Sequence, residues 1–225
     1  MATISCLLPS FKYPQYLHDA AWSVISQVEP VEELIILNNA FDRSMAEIED
    51  LLFFSNIYVI RTGNINLTMV DKVNMMARMA SSDYLFVLCE DDMIDKTFTQ
   101  KILERIETSE VPVDLVYTDM EIFGMENRIV KPLPWCKESF ERTTVPFITS
   151  VVSKRIWDRV GGWLEVPFAD WDFWWRIFEL ETYWSIEYIP EPLFRFRTHP
   201  DQDSRTGNNE ERTRIVRRLH GVENA

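Results

Sequence analysis

The feature that most limits the fold is a series of short apolar runs: residues 3–8 (TISCLL), 33–37 (ELIIL), 57–60 (IYVI) and 84–88 (YLFVL). They are too short for helices and lack the alternation of a sheet with one wet face, so they read as strands covered on both sides. The stretches between them have helical periodicity. Pro14 stands where a first helical turn tolerates proline, and Leu17, Ala20, Ala21, Val24 and Ile25 follow at helical spacing. Asp42 or Ser44 can cap a helix through Ile48, Leu51 and Leu52. Residues 68–80 carry Val70, Val73, Met76, Ala77 and Ala80 on one face, and another helix is expected near 96–107. Such alternation implies βαβ crossovers, hence an α/β fold with a mostly parallel central sheet flanked by helices. Ligands then bind beyond the carboxyl ends of the strands, which puts Pro9-Ser10, Asn38-Asn39 and Glu90-Asp91-Asp92 on one rim.

The second half is less regular. Residues 115–123 read as a strand, 128–136 as a proline-interrupted edge, and 154–160 as a short helix stopped by Gly161-Gly162. Residues 170–181 (DWDFWWRIFELE) form an aromatic-rich helix, followed by two short strands at 186–189 and 193–197. The end, from Gly207, is polar and carries Arg212, Arg214, Arg217 and Arg218. No internal repeat or separating linker is visible, so residues 1–206 are expected to be one domain and 207–225 a polar helix or tail.

With 225 residues, 46% of them hydrophobic, the chain can bury one substantial core. Its 36 acidic against 23 basic residues, a net charge of −13, disfavour nucleic acid as a general partner and polybasic attachment to anionic lipid. The three cysteines, Cys6, Cys89 and Cys136, fit neither a disulfide framework nor a CxxC zinc pattern, which suits a reducing compartment. No basic, apolar leader and no 18-residue apolar span occur, so a soluble, cytoplasmic protein without a membrane span is expected.

Five segments in order resemble family 2 glycosyltransferases over roughly residues 3–200. They are TISCLLPSFKYPQYLHDAAWSVISQ, EELIILNNAFD, DKVNMMARMASSDYLFVLCEDDMID, VGGWLEVPFADWDFWWRI and EPLFRFRTH. The resemblance implies a GT-A fold, with a nucleotide-sugar-binding half at 1–95 and a smaller acceptor-binding half at 96–206. It also implies transfer of a sugar from a nucleoside-diphosphate sugar to a sugar or other hydroxyl acceptor. Such a reaction releases a diphosphate of concentrated negative charge, which Mn²⁺ or Mg²⁺ held by oxygen ligands would stabilise.

Carried onto this chain, the resemblance assigns metal ligation to Asp91, helped by Asp92 or Glu90, with Cys89 standing where the family has the first Asp of its DxD motif. The bland alternative for the triplet is a solvated acidic turn capping the next helix. His199 corresponds to a family His that reaches the metal or the diphosphate; it could equally be an exposed side chain. Pro9, Ser10 and Phe11 should line the base and ribose, with Lys72, Asn74 and Glu90 near the donor ribose or phosphate. Asn38 replaces the family's Asp at the end of the second strand. An amide both donates and accepts where a carboxylate only accepts, which weakens the preference for uracil; the resemblance still favours a UDP-sugar, while GDP- and TDP-sugars stay open.

For the base that deprotonates the acceptor in an inverting displacement, Asp170 matches the family position; helix capping is its alternative role. Ala169 stands where the family has Glu. Asp172 either caps, pairs with Arg176 or meets the acceptor. Gly162, Trp163 and Trp171 are assigned to the acceptor side, through close backbone approach and stacking on sugar C–H faces. Cys89 and Ala169 also support a second reading, a nucleotide-sugar-binding protein without catalysis. A nucleotidyltransferase is disfavoured because LLPSFKYPQ lacks a glycine-rich phosphate loop.

Overall fold

A computed structural model of the chain describes residues 1–39, 46, 48–62, 67–180, 184–202 and 208–222. Its centre is a nine-stranded sheet of order β3-β2-β1-β4-β8-β6-β9-β5, with β7 paired to β6. The strands are β1 (Ile4–Ser10), β2 (Glu33–Asn38), β3 (Ile57–Arg61), β4 (Tyr84–Val87), β5 (Met93–Ile94), β6 (Leu115–Gly124), β7 (Arg128–Val130), β8 (Val151–Ser153) and β9 (Ile186–Thr198). Among the described residues the α-helices with both ends defined are α1 (Pro14–Ile25), α2 (Met69–Met79), α3 (Phe98–Thr108), α4 (Lys137–Phe140), α5 (Lys154–Val160), α6 (Ala169–Phe178) and α7 (Asn209–Leu219). The β3-β2-β1-β4 block is parallel throughout, as is β6-β9, while β8, β5 and β7 pair antiparallel.

Successive residues of a strand face opposite sides of the sheet, and here both sides are covered. Cys6 and Leu8 join Leu17, Val24, Phe86, Phe98 and Ile102 in one core. Leu7 joins Ile35, Val73, Met76, Leu85 and the tryptophans of α6 in the other. Each fully buried Leu or Phe contributes about 1.5–3 kcal/mol, so one polar replacement in β1 would weaken a whole layer. Thr68 begins α2 with a capping box: its side chain accepts from the Asp71 N–H, and Asp71 accepts from the Thr68 N–H, each at 3.0 Å.

Two expectations change in detail, and a third narrows to one of its alternatives. The helix proposed after Asp42 or Ser44 has both caps outside the described residues; of its core, Glu49–Leu51 is a single 3₁₀ turn with Leu51 buried. The two strands expected at 186–189 and 193–197 are one strand. Pro190 and Pro192 supply no N–H, and the ladder to β6 shifts register beside them, between Thr118 and Met120, without ending. The arginine-bearing end forms helix α7, with Asn208 accepting from the Glu211 N–H as its cap.

Candidate active site

The parallel register brings the strand ends together: Ser10 of β1 lies beside Asn38 of β2, and Leu7 beside Val87 of β4. The chain leaves β4 as Cys89-Glu90-Asp91-Asp92 and enters β5, which pairs with β9. A cavity of about 490 Å³ opens at this rim. Of the residues singled out in the sequence, Pro9, Phe11, Lys72, Glu90, Asp91, Asp92 and Asp170 line it.

Asp91 and Asp92 are held from β9. The Arg197 N–H donates to Asp92 Oδ1 and its Nε to the Asp91 carbonyl, both at 2.9 Å, while its guanidinium lies over Tyr16 and bonds Asp19. His199, only 4% exposed, places Nε2 3.1 Å from Asp91 Oδ2 and packs against Tyr13 and Tyr16. It is therefore buried against the acidic pair and not exposed. Burial, and then the neighbouring Asp91 charge, raise the Asp92 carboxyl well above the usual range, with Arg197 opposing them. Burial and the surrounding carboxylates likewise push the Cys89 thiol up.

Ligand atoms of Cys89, Asp91 and Asp92 all lie within 4.8 Å of one another. Two crowded, buried carboxylates fit a divalent cation, since its charge would relieve the repulsion that raises Asp92. They could hold such an ion through hard oxygens, with Cys89 offering a softer third donor.

Lys72 is buried, and desolvation lowers its pKa while Glu90 opposes the shift. Its Nζ donates to the Ser10 carbonyl at 3.3 Å and sits 5.2 Å from the Phe11 ring centre. Asp170, which also lines the cavity, lies in the first turn of α6. The cap itself is Phe168, whose left-handed backbone (φ 50°) turns the chain into the helix, so Asp170 is not the cap. Burial raises the Asp170 carboxyl, while the N–H groups of Trp171 and Asp170 and the charge of Arg212 hold it down.

Four residues assigned to the acceptor are elsewhere. Trp171 is 3% exposed, donates from Nε1 to the Phe140 carbonyl and stacks on Trp175. Trp163 is buried, with its backbone N–H and C=O both bonded to the Asn74 amide, at 2.9 and 2.8 Å. Asn74 is thus committed to this turn and does not line the cavity. Gly162 (φ 72°) packs so tightly that a Cβ would stand 2.5 Å from Asn74 Oδ1. Asp172 is buried and bonded to Arg176 at 2.8 Å and to His220 at 3.2 Å. These four residues build the support of α6; as folded, none presents a surface to an acceptor in the cavity. Asn38 is 2% exposed at the end of β2 and is not among the lining residues. Sequence reasoning overlooked Lys12, Tyr13, Ile148, Phe196 and Gln202, which do line the cavity. The position of Lys12 and Tyr13 directly after the β1 turn was the signal for those two.

The family model for glycosyl transferase family 2 matches residues 5–151, from β1 through the acidic loop to the start of β8. The chain belongs to glycosyl transferase family 2. Among solved structures, S. aureus TarS residues 1–349 in complex with UDP-GlcNAc superposes with a TM-score of 0.77 at 12% identity, over 95% of this chain and 65% of that one. The same TarS fragment with UDP gives a TM-score of 0.75 at 14% identity, over 98% and 65%. Longer TarS gives 0.73 at 14% identity and is covered over only 39% of its length. The chain therefore spans less than two-thirds of these relatives and shares with them the GT-A fold of the family. No curated protein sequence matches it significantly. Among the described residues no helix is long and apolar enough to cross a membrane.

Proposed function

We propose that this family 2 domain transfers a sugar from a nucleoside-diphosphate sugar, with a UDP-sugar favoured, to the hydroxyl of a sugar or other acceptor, with inversion at the anomeric carbon. The observation that carries the reading is that Asp170 opens onto the same cavity as Asp91 and Asp92. UDP and UDP-GlcNAc in the TarS structures support a uridine donor.

In this reading Pro9, Phe11 and Tyr13 hold the nucleoside, Lys72 faces the phosphates, and His199 and Arg197 hold the Asp91–Asp92 pair in place. A Mn²⁺ or Mg²⁺ ion bound by Asp91 and Asp92 would offset the charge that builds on the leaving diphosphate. Asp170 takes the proton from the acceptor hydroxyl as its oxygen attacks. Among the described residues it is the one acid of the cavity wall outside the acidic triplet, which suits a single displacement and hence inversion. Residues 1–95 form the donor half and 96–206 the acceptor half. Three free thiols suit a cytoplasmic setting.

Calorimetric titration with UDP, GDP, TDP and CMP, each in Mn²⁺ and then in EDTA, tests the donor class. Tight, chelator-sensitive binding of one nucleoside diphosphate is expected. Asp170→Asn should keep that binding and lower transfer by roughly 10²–10⁴-fold. Transfer left intact in Asp170→Asn would remove it as the base, and NMR of the product anomer decides inversion.

A further inference from the structure

Glu90 lies between Cys89 and the acidic pair, yet its carboxylate turns away from them toward the loop after β1. It accepts the Ser10 hydroxyl at 2.6 Å, the Phe11 N–H at 3.0 Å, the Lys12 N–H at 2.6 Å and the Tyr13 N–H at 2.8 Å. Three consecutive N–H groups converging just before a helix make a nest suited to an anion. Here the chain's own carboxylate, 5% exposed, fills it.

A donor diphosphate therefore has no access to this nest. What the loop offers the cavity is its side chains: Phe11, Lys12 and Tyr13 all line it, and Phe11 is 48% exposed, its ring below the Lys72 ammonium. The loop is also held at its far end, where Tyr13 meets the His199 ring edge-on at 4.7 Å. The backbone geometry that presents these side chains depends on the four donors that Glu90 accepts.

We propose that Glu90 is a positioning residue whose carboxylate sets residues 10–13 in the shape of a nucleoside subsite before any donor arrives. The inference rests on the donor reading above and gives Glu90 a different task from donor contact. Hydrogen bonds to a charged acceptor are among the stronger ones, and removing the acceptor leaves several donors unmet at once. Donor binding would then have to order the loop as well, which weakens it.

The test is Glu90→Gln, which keeps size but points an amide NH₂ at N–H donors. Without ligand, amide exchange at Phe11, Lys12 and Tyr13 should accelerate at least about tenfold, with β4 and α3 unchanged. By calorimetry, uridine and UDP should both weaken by the same factor, on the order of tenfold. In transfer assays the donor KM should rise while kcat stays within about twofold. Unchanged exchange, unchanged uridine affinity, or a lower kcat at constant KM would each overturn the role. Should Glu90→Gln not fold, Ser10→Ala removes one of the four donors and must shift exchange and KM in the same direction by less; no shift overturns the proposal. Wild-type protein that binds neither uridine nor UDP sinks the donor reading, and the nucleoside subsite with it. Equal binding by wild type and variant sinks only the part given to Glu90.

Discussion

The His220 ring lies flat on the Trp175 indole, with centres 4.3 Å apart and planes inclined by 4°, and uses both nitrogens to hold helix α6. Nε2 reaches Asp172 at 3.2 Å and Nδ1 reaches Glu179 at 3.0 Å. Arg217 fastens the same helix, α7, to the Glu141 carbonyl at 2.6 Å. The carboxyl-terminal helix thereby clasps the element that carries Asp170.

This clasp predicts a pH-dependent stability. Burial lowers the affinity of His220 for its proton, but the bonds to Asp172 and Glu179 outweigh burial and raise it above the ordinary 6.5. A raised folded-state value means that the contribution is complete below about pH 6.5 and drains away as pH rises through the higher value. Asp172 is also opposed by burial, yet its bonds to His220 and Arg176 lower it, so its contribution holds above the ordinary 3.8 and is lost only as pH falls through the depressed value. Urea unfolding should show wild-type stability declining above pH 6.5, while His220→Gln loses about 1–3 kcal/mol and flattens that decline. A variant with the wild-type pH slope would show that the histidine is not the titrating group.

Arg212 covers the Phe168 ring at 4.2 Å and helps to keep the Asp170 carboxyl ionised against burial. For a base that works deprotonated, Arg212→Ala should move the acid limb of the kcat/KM profile to higher pH. An unmoved limb with a uniformly lower rate would point to packing over Phe168 instead.

Asp91→Asn and Asp92→Asn should each weaken Mn²⁺-dependent nucleotide binding by at least the roughly 10- to 100-fold that loss of an outer metal partner costs. EDTA should reduce wild type to the level of these variants. Nucleotide binding indifferent to chelator would dismiss a cation at this pair.

Gly162→Ala puts a methyl group into the Asn74 side chain at a backbone angle that favours glycine. A loss of about 1–3 kcal/mol in denaturant unfolding is expected, with nucleotide affinity retained because Gly162 does not line the cavity. Weaker nucleotide binding at full stability would place Gly162 nearer the donor than its packing does.

The rim of the cavity formed by β1, β2 and β4 was legible because strand ends are legible. Apolar runs locate β1, β2 and β4, and the residues that follow them, Ser10, Asn38 and Glu90, fall on one rim by topology alone. The support of α6 was harder. A helix apolar on every face is a buried helix, and the pattern from Trp171 through Trp175 carried that signal beside its sugar-stacking alternative. Nothing local distinguishes Asp170, which faces the cavity, from Asp172, which faces His220 and Arg176; two residues, about 200° of helical rotation, separate them. His220 itself, in a polar tail 48 residues beyond Asp172, had no sequence signal at all.

The pairing of β5 has a consequence for the order of assembly. The four parallel strands β1 to β4 lie within the first 87 residues and contact one another. The acidic loop that follows them is anchored through Met93↔Arg195 and Ile94↔Phe194, partners about a hundred residues later in the chain. Contacts that close such long loops form late, since the entropy of closure precedes their reward. During synthesis the sheet rim can therefore exist while the acidic pair still lacks Arg197 and His199, so the geometry of that pair waits for the second half of the chain.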